Sequence, residues 1–378
     1  MKQLHLLNFA TLITFAAADF VLPIQLNSNT LNNQISAVPI KNESKSTLLE
    51  FFALINIGTP GQPLKLQFET GSYRLWINSM EGMENQFKPQ FSSTFNNTNI
   101  LASMLDVNNA ITINGTIAED KFNLVNSSLN LSDSSIQFIH ATTVNLSVSN
   151  NFNGLIGLGF TPSDLWNNGT KTFARSFMDQ LIEKKVLSNP TVSYFVDFTD
   201  VNGEVNFGNM DSTKYSGPIT WIPHQSITLS PAAVMPNLPT KVEYLWSVGL
   251  RKLNLGKTEI NFNTNINVNA SAIFATGESV SYFPKELAQN LSLEINSTFN
   301  INSNRYEIEC SKLSQLPNLT FTFFTDDASV KNEATFELTP YEYALSFDEK
   351  QILCFIGIFD NSDTQFQDTI LLGNLFLR

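Results

Sequence analysis

The sequence predicts an all-β protein built as two similar lobes with a few short helices. Three observations point there: many short apolar or alternating runs, turn residues between them at close intervals, and one motif that occurs in each half of the chain. The runs FFALINIG (51–58), LKLQFETG (64–71), YRLWIN (73–78), ITINGTI (111–117) and SIQFIHA (135–141) read as strands. Gly58, Thr59, Pro60 and Gly61 mark a turn between the first two. Two segments carry helical spacing instead. Thr172 to Leu187 sets Phe173, Phe177, Leu181 and Ile182 on one face, and Pro284 to Leu293 opens with a proline allowed in a first turn. Both faces read as core packing. The repeated motif is QFETGS (67–72) and IFATGES (273–279). Each is followed by an apolar-apolar-Gly segment, Leu155-Ile156-Gly157 and Leu371-Leu372-Gly373. The ordered repetition predicts two lobes of one design.

A chain of 378 residues suits two domains, and a 42% hydrophobic share is ample for packed cores. The formal charge of −12 and the lack of a basic stripe exclude nucleic acid as a partner. Met1-Lys2, the apolar stretch Leu4 to Ala18 and the small residues Ala16-Ala17-Ala18 read as a signal peptide over 1–18. That stretch is too short to span a bilayer, and no later one suffices. The expectation is entry to the secretory pathway, ending outside the cell or in a vesicular or lysosomal lumen. Residues 19–46 form a polar lead-in, 47–224 the first lobe and 225–378 the second. Sequons stand at Asn42, Asn96, Asn114, Asn126, Asn130, Asn145, Asn168, Asn269, Asn290, Asn296 and Asn318, candidates for glycans in an Asn-rich chain. Two cysteines without a nearby His argue against zinc, and no metal is expected. In an oxidising lumen Cys310 and Cys354 could instead close a loop of about 45 residues, worth roughly 4 kcal/mol through chain entropy.

The order FFALINIGTPGQPLKLQFETGSYRLWI, FSSTF (91–95) and NGLIGLG (153–159) is similar to the first lobe of pepsin-like aspartic proteases. GEVNFGNMDSTKYSGPITWIPH (203–224) resembles the close of that lobe. LWSVGLRKLNLG (245–256), IFATGESVSYFP, CSKLSQLPNLTFTF (310–323) and ILLGNLFLR (370–378) resemble successive segments of the second. The resemblance implies a bilobal fold with a cleft, no cofactor, and one aspartate from each lobe at the cleft floor. Two such carboxylates share a proton and a water: the ionised one activates the water, and the protonated one polarises the peptide carbonyl.

Both positions depart from the family. The first is Glu69, one methylene longer; the second is Ala275, which cannot ionise. A shift of about 1 Å can cost roughly 10²-fold, and loss of general acid–base help roughly 10²- to 10⁴-fold. Glu278, three residues after Ala275, is a candidate substitute if its side chain reaches the vacated space; otherwise it points to solvent. Ser72 keeps a hydroxyl suited to the first carboxylate. The hairpin that closes over substrate in the family maps here with its tip at Asn108 to Ile111, where no tyrosine stands, and Asn114 offers a glycan nearby. No long basic propeptide precedes Ser46, so inhibition of a zymogen through a lysine is not expected. The sequence ends at Arg378, where relatives continue for a strand or two. The expected function is a monomeric pseudoprotease binding peptide or protein in its cleft. The alternatives are an acid endopeptidase using Glu69 with Glu278, a structural or storage glycoprotein, and a defective gene product.

Overall fold

The computed structural model describes residues 36–42 and most of 51–377. Outside it lie 1–35, 43–50, 83–85, 106–110, 132–133, 147–152, 163–173, 188–189, 197–201, 229–240, 243–244, 261–269, 326–332, 347–351, 363–365 and a few single positions. The expected signal peptide is therefore outside the described residues.

Alternation and closely spaced turns fold the first lobe into strands β1 (Ser36–Asn42), β2 (Phe51–Ile57), β3 (Gln62–Glu69), β4 (Leu75–Asn78), β5 (Asn96–Leu105), β6 (Ile111–Leu124), β7 (Ser135–Leu146), β8 (Gly154–Gly157), β9 (Val192–Val196) and β10 (Asn202–Phe207). They form one ten-stranded sheet in the order β5-β6-β7-β4-β8-β3-β2-β1-β10-β9. The polar lead-in thus contributes a strand, β1, between β2 and β10. Helix α1 (Phe177–Glu183) is shorter than its periodic segment. It starts at Ser176, whose side chain accepts a hydrogen bond from the Asp179 N–H, and it buries Phe177, Met178 and Leu181.

The second lobe begins with the ribbon β11 (Ile227–Thr228) and β12 (Lys241–Val242). It continues through β13 (Ser247–Leu255), β14 (Thr258–Glu259), β15 (Ala270–Phe274), β16 (Ser281–Phe283), α2 (Lys285–Glu294), β17 (Thr298–Asn300), β18 (Arg305–Glu309), β19 (Leu319–Phe324), β20 (Glu333–Leu338), α3 (Pro340–Tyr343), β21 (Ala344–Ser346), β22 (Leu353–Ile356), β23 (Ile358–Asp360), β24 (Ile370–Leu372) and α4 (Asn374–Leu377). Its main sheet runs β20-β19-β13-β15-β24-β16-β23, and β17-β18-β22-β21 make a smaller one. In the smaller sheet Cys310, just beyond β18, is disulfide-bonded to Cys354 on β22.

The repeated motif becomes repeated topology. β8 runs parallel to β3, pairing Phe68 with Ile156, and antiparallel to β4. β24 runs parallel to β15, pairing Phe274 with Leu372, and antiparallel to β16. The glycine closing each apolar-apolar-Gly segment is required by close approach. A side chain on Gly157 would begin 2.5 Å from the Arg74 backbone, and one on Gly373 would begin 2.6 Å from the Glu278 carbonyl.

Between the lobes Thr70 and Thr276 embrace reciprocally. The Thr70 N–H donates to Thr276 Oγ1 (3.1 Å) and the Thr276 N–H to Thr70 Oγ1 (3.0 Å). Each hydroxyl then donates onward, Thr70 to the Phe274 carbonyl (2.6 Å) and Thr276 to the Phe68 carbonyl (2.7 Å). Trp246 Nε1 adds a bond to the Leu158 carbonyl at 2.9 Å. One apolar cluster runs through both lobes, from Ile55, Leu66 and Phe122 to Phe283, Phe321 and Leu372.

Two outcomes follow from these contacts. Thr276→Val keeps the shape but strands the buried Thr70 N–H and Phe68 carbonyl. It should lower stability in urea unfolding by about 2–6 kcal/mol, at 1–3 kcal/mol for each of the two orphaned groups. Thr142→Val, on an exposed strand position, should stay within about 0.5 kcal/mol. His140 on β7 is buried against Phe95, neither ring nitrogen has a partner among the described residues, and burial lowers its pKa. The unfolded chain therefore binds that proton more readily, so stability should fall as pH drops from the ordinary histidine range toward the lowered value. His140→Leu should flatten thermal stability between pH 7 and 5; an unchanged slope would exclude His140 as its source.

Candidate active site

Each parallel pair delivers a turn to the place where the lobes meet. After β3 comes Glu69-Thr70-Gly71-Ser72, and after β15 comes Ala275-Thr276-Gly277-Glu278. The threonine embrace brings the two turns face to face. Glu69 is only 8% exposed and Ala275 only 3%. Glu69 Oε1 accepts from the Gly71 N–H. Its other oxygen lies against Gly277 of the opposite turn, where an added methyl would overlap it. The Ala275 N–H donates to the Leu372 carbonyl at 2.9 Å, so this turn is held by backbone with no acid present.

Glu278 is half-buried in the same turn as Ala275. Its N–H donates to the Ala275 carbonyl (3.1 Å), and its carbonyl accepts from the Asn374 N–H (2.7 Å). Ser72 is buried, and its Oγ accepts from the Arg74 N–H at 3.1 Å. The expected hairpin is present as β5 and β6, paired from Asn96–Glu119 to Leu105–Thr112. Most of its proposed tip, at 108–110, lies outside the described residues. Arg74 ties this hairpin to the floor, since its guanidinium donates to both the Tyr73 hydroxyl (3.1 Å) and the Ser103 carbonyl.

Three residues that the sequence reading passed over hold the second turn from behind. Asn374 Nδ2 donates to the Thr276 carbonyl (2.8 Å), Gln67 Nε2 to the Gly277 carbonyl (3.0 Å), and the Asn374 N–H to the Glu278 carbonyl. Tyr194 donates its hydroxyl to Asn374 Oδ1 at 3.0 Å. Burial, with the Glu69 charge adding to it, pushes the Tyr194 phenol well above its ordinary pKa, so it remains a donor. Asn374 carried a readable signal, an amide inside the otherwise apolar LLGNLFL; Gln67, between Lys65 and Glu69, carried less. Tyr194 carried none.

The sequons divide. Asn96, Asn114, Asn145, Asn290 and Asn296 are exposed; Asn318 is half-buried and donates to Glu337. Asn42 lies on β1 with its side chain undescribed, and Asn126, Asn130, Asn168 and Asn269 lie outside the described residues. Among the described residues no three His, Cys, Asp or Glu side chains gather as a metal would require. Of the two positions facing each other where the turns meet, 69 carries an acid and 275 does not. One carboxylate can orient a water, but it has no acidic partner at position 275 with which to share a proton.

Comparison with known proteins agrees with this geometry. The family model for eukaryotic aspartyl protease matches residues 50–378. Cathepsin E-B of Xenopus laevis is 25% identical over 346 residues, spanning 86% of this chain and 74% of its own length. Pepsin-3 of Oryctolagus cuniculus is 26% identical over 355 residues, spanning 90% and 80%. Vacuolar protease A of Neurospora crassa is 25% identical over 349 residues, spanning 90% and 76%. The solved aspartic proteinase of Irpex lacteus superposes with a TM-score of 0.68 over 91% of this chain and 92% of its own, at 19% identity. The two motif turns, their parallel supports and the family match over both lobes make one case: the chain belongs to the eukaryotic aspartyl protease family.

Proposed function

We propose that this chain is a catalytically impaired member of its family that binds an extended peptide or protein segment between its lobes without hydrolysing it. The observation that carries the reading is Ala275, buried at the second acid position with its backbone fully engaged. Amide hydrolysis by this family's route needs two cooperating acids, whereas a groove recognises peptide through shape, apolar pockets and backbone groups. The retained supports around the second turn favour binding as well. A floor rigid enough to orient two acids is rigid enough to order a ligand.

The setting we propose is the lumen of the secretory pathway or the cell exterior. The apolar stretch Leu4 to Ala18, the Cys310–Cys354 disulfide and a relative named as a vacuolar protease support it. No helix among the described residues is long and apolar enough to cross a membrane.

A second reading has one observation in its favour: Glu278 shares a hydrogen-bonded turn with Ala275, as a substitute acid would have to. It predicts digestion of unfolded protein at acid pH that Glu278→Gln abolishes. The first reading is tested by titrating extended peptides, and a peptide bearing a transition-state-like hydroxyl, into the purified protein at pH 4 and 7. Calorimetry should show binding, and mass spectrometry should recover the peptides whole. Cleaved peptide, or no heat at millimolar concentration, would overturn it.

A further inference from the structure

The two departures at the floor, Glu69 and Ala275, lie near the same glycine, Gly71. Glu69 begins in the first lobe and ends against the second. A methyl added to Gly277 would overlap Oε2 and stand 2.6 Å from Cδ and 3.4 Å from Cγ. The Gly277 backbone is not in the left-handed region, so a side chain is barred there by the Glu69 carboxylate rather than by φ. On the facing side, a methyl on Gly71 would stand 2.8 Å from Glu69 Oε1 and 3.9 Å from the Ala275 methyl. Glu69 Oε1 and the Ala275 methyl therefore both flank the open face of Gly71. Gln67, two residues earlier on β3, reaches the same glycine through its carbonyl.

We propose that Glu69 and Ala275 are a matched pair. The longer acid has entered space that a second acid would need, and it acts as a positioning residue, an inter-lobe clasp that seats the Thr276–Glu278 turn through Gly277. The floor then has room for one carboxylate and not for two. A carboxylate added at 275 while Glu69 remains would be crowded by a like charge across a few ångströms of buried space, which is unfavourable on steric and electrostatic grounds. Shortening Glu69 alone vacates the space but supplies no second acid. Only both changes together give two short acids facing each other. The inference rests on the reading of a cleft without a working acid pair.

Four proteins test it: the wild type, Glu69→Asp, Ala275→Asp and the double variant, each incubated with an unfolded protein substrate at pH 3.5. The wild type and both single variants should remain at background, and the double variant should digest at least about 10²-fold faster. Activity in Ala275→Asp equal to that of the double variant would overturn the pairing, as would a folded double variant at background. A second measurement does not depend on activity. Gly277→Ala should lower the melting temperature of the wild type and have much less effect alongside Glu69→Asp, because the collision is with the far end of the longer side chain. Equal losses in both backgrounds would overturn the clasp. Digestion by the wild type would sink the preceding reading instead, and the Gly277 comparison would still decide this one.

Discussion

Everything at the centre of this molecule depends on the reciprocal hydrogen bonds of Thr70 and Thr276. Each hydroxyl accepts from the opposite backbone and donates to another carbonyl, and both residues are buried. Separating the lobes would exchange these four hydrogen bonds for bonds to water, a net loss of about 0.5–1.5 kcal/mol each. None of these bonds involves a carboxylate. This scaffold is thus independent of the acid positions, and it stands with Glu69 and Ala275 in them.

The same independence explains what was legible in the sequence. Two copies of x-Thr-Gly, each followed by apolar-apolar-Gly, forecast two lobes of one design; the structure adds the parallel pairing of β3 with β8 and of β15 with β24. Glu69 and Ala275 are placed by the same motif, since each directly precedes Thr-Gly, where the resemblance implies an aspartate. Other features depend on non-local geometry. The first helical pattern extends beyond Phe177–Glu183 because spacing of apolar residues marks a face and not an end. The strand Ser36–Asn42 hides in a polar segment because it is specified by its partner β10 rather than by its own pattern. Tyr194 reads as an ordinary strand aromatic until Asn374, from the far end of the chain, meets its hydroxyl.

The second turn is closely supported although it carries Ala275, where the resemblance implies an aspartate. The carbonyls of Thr276, Gly277 and Glu278 each receive a donor, from Asn374, Gln67 and the Asn374 backbone. In a two-acid enzyme such fixed surroundings would preorganise the reacting groups. Here they surround a methyl group and one carboxylate bonded back to its own turn. The proposed recognition of a chain, rather than its hydrolysis, would draw on this order without an acid at position 275.

The central claim is that water cannot be delivered to an amide at this floor. Its most direct test is to incubate the wild-type protein with an unfolded substrate in ¹⁸O-labelled water from pH 3 to 7 and to search for the label at new carboxyl termini. The account predicts no labelled termini above a protein-free control at any pH. Labelled termini that disappear in Glu69→Gln would contradict it.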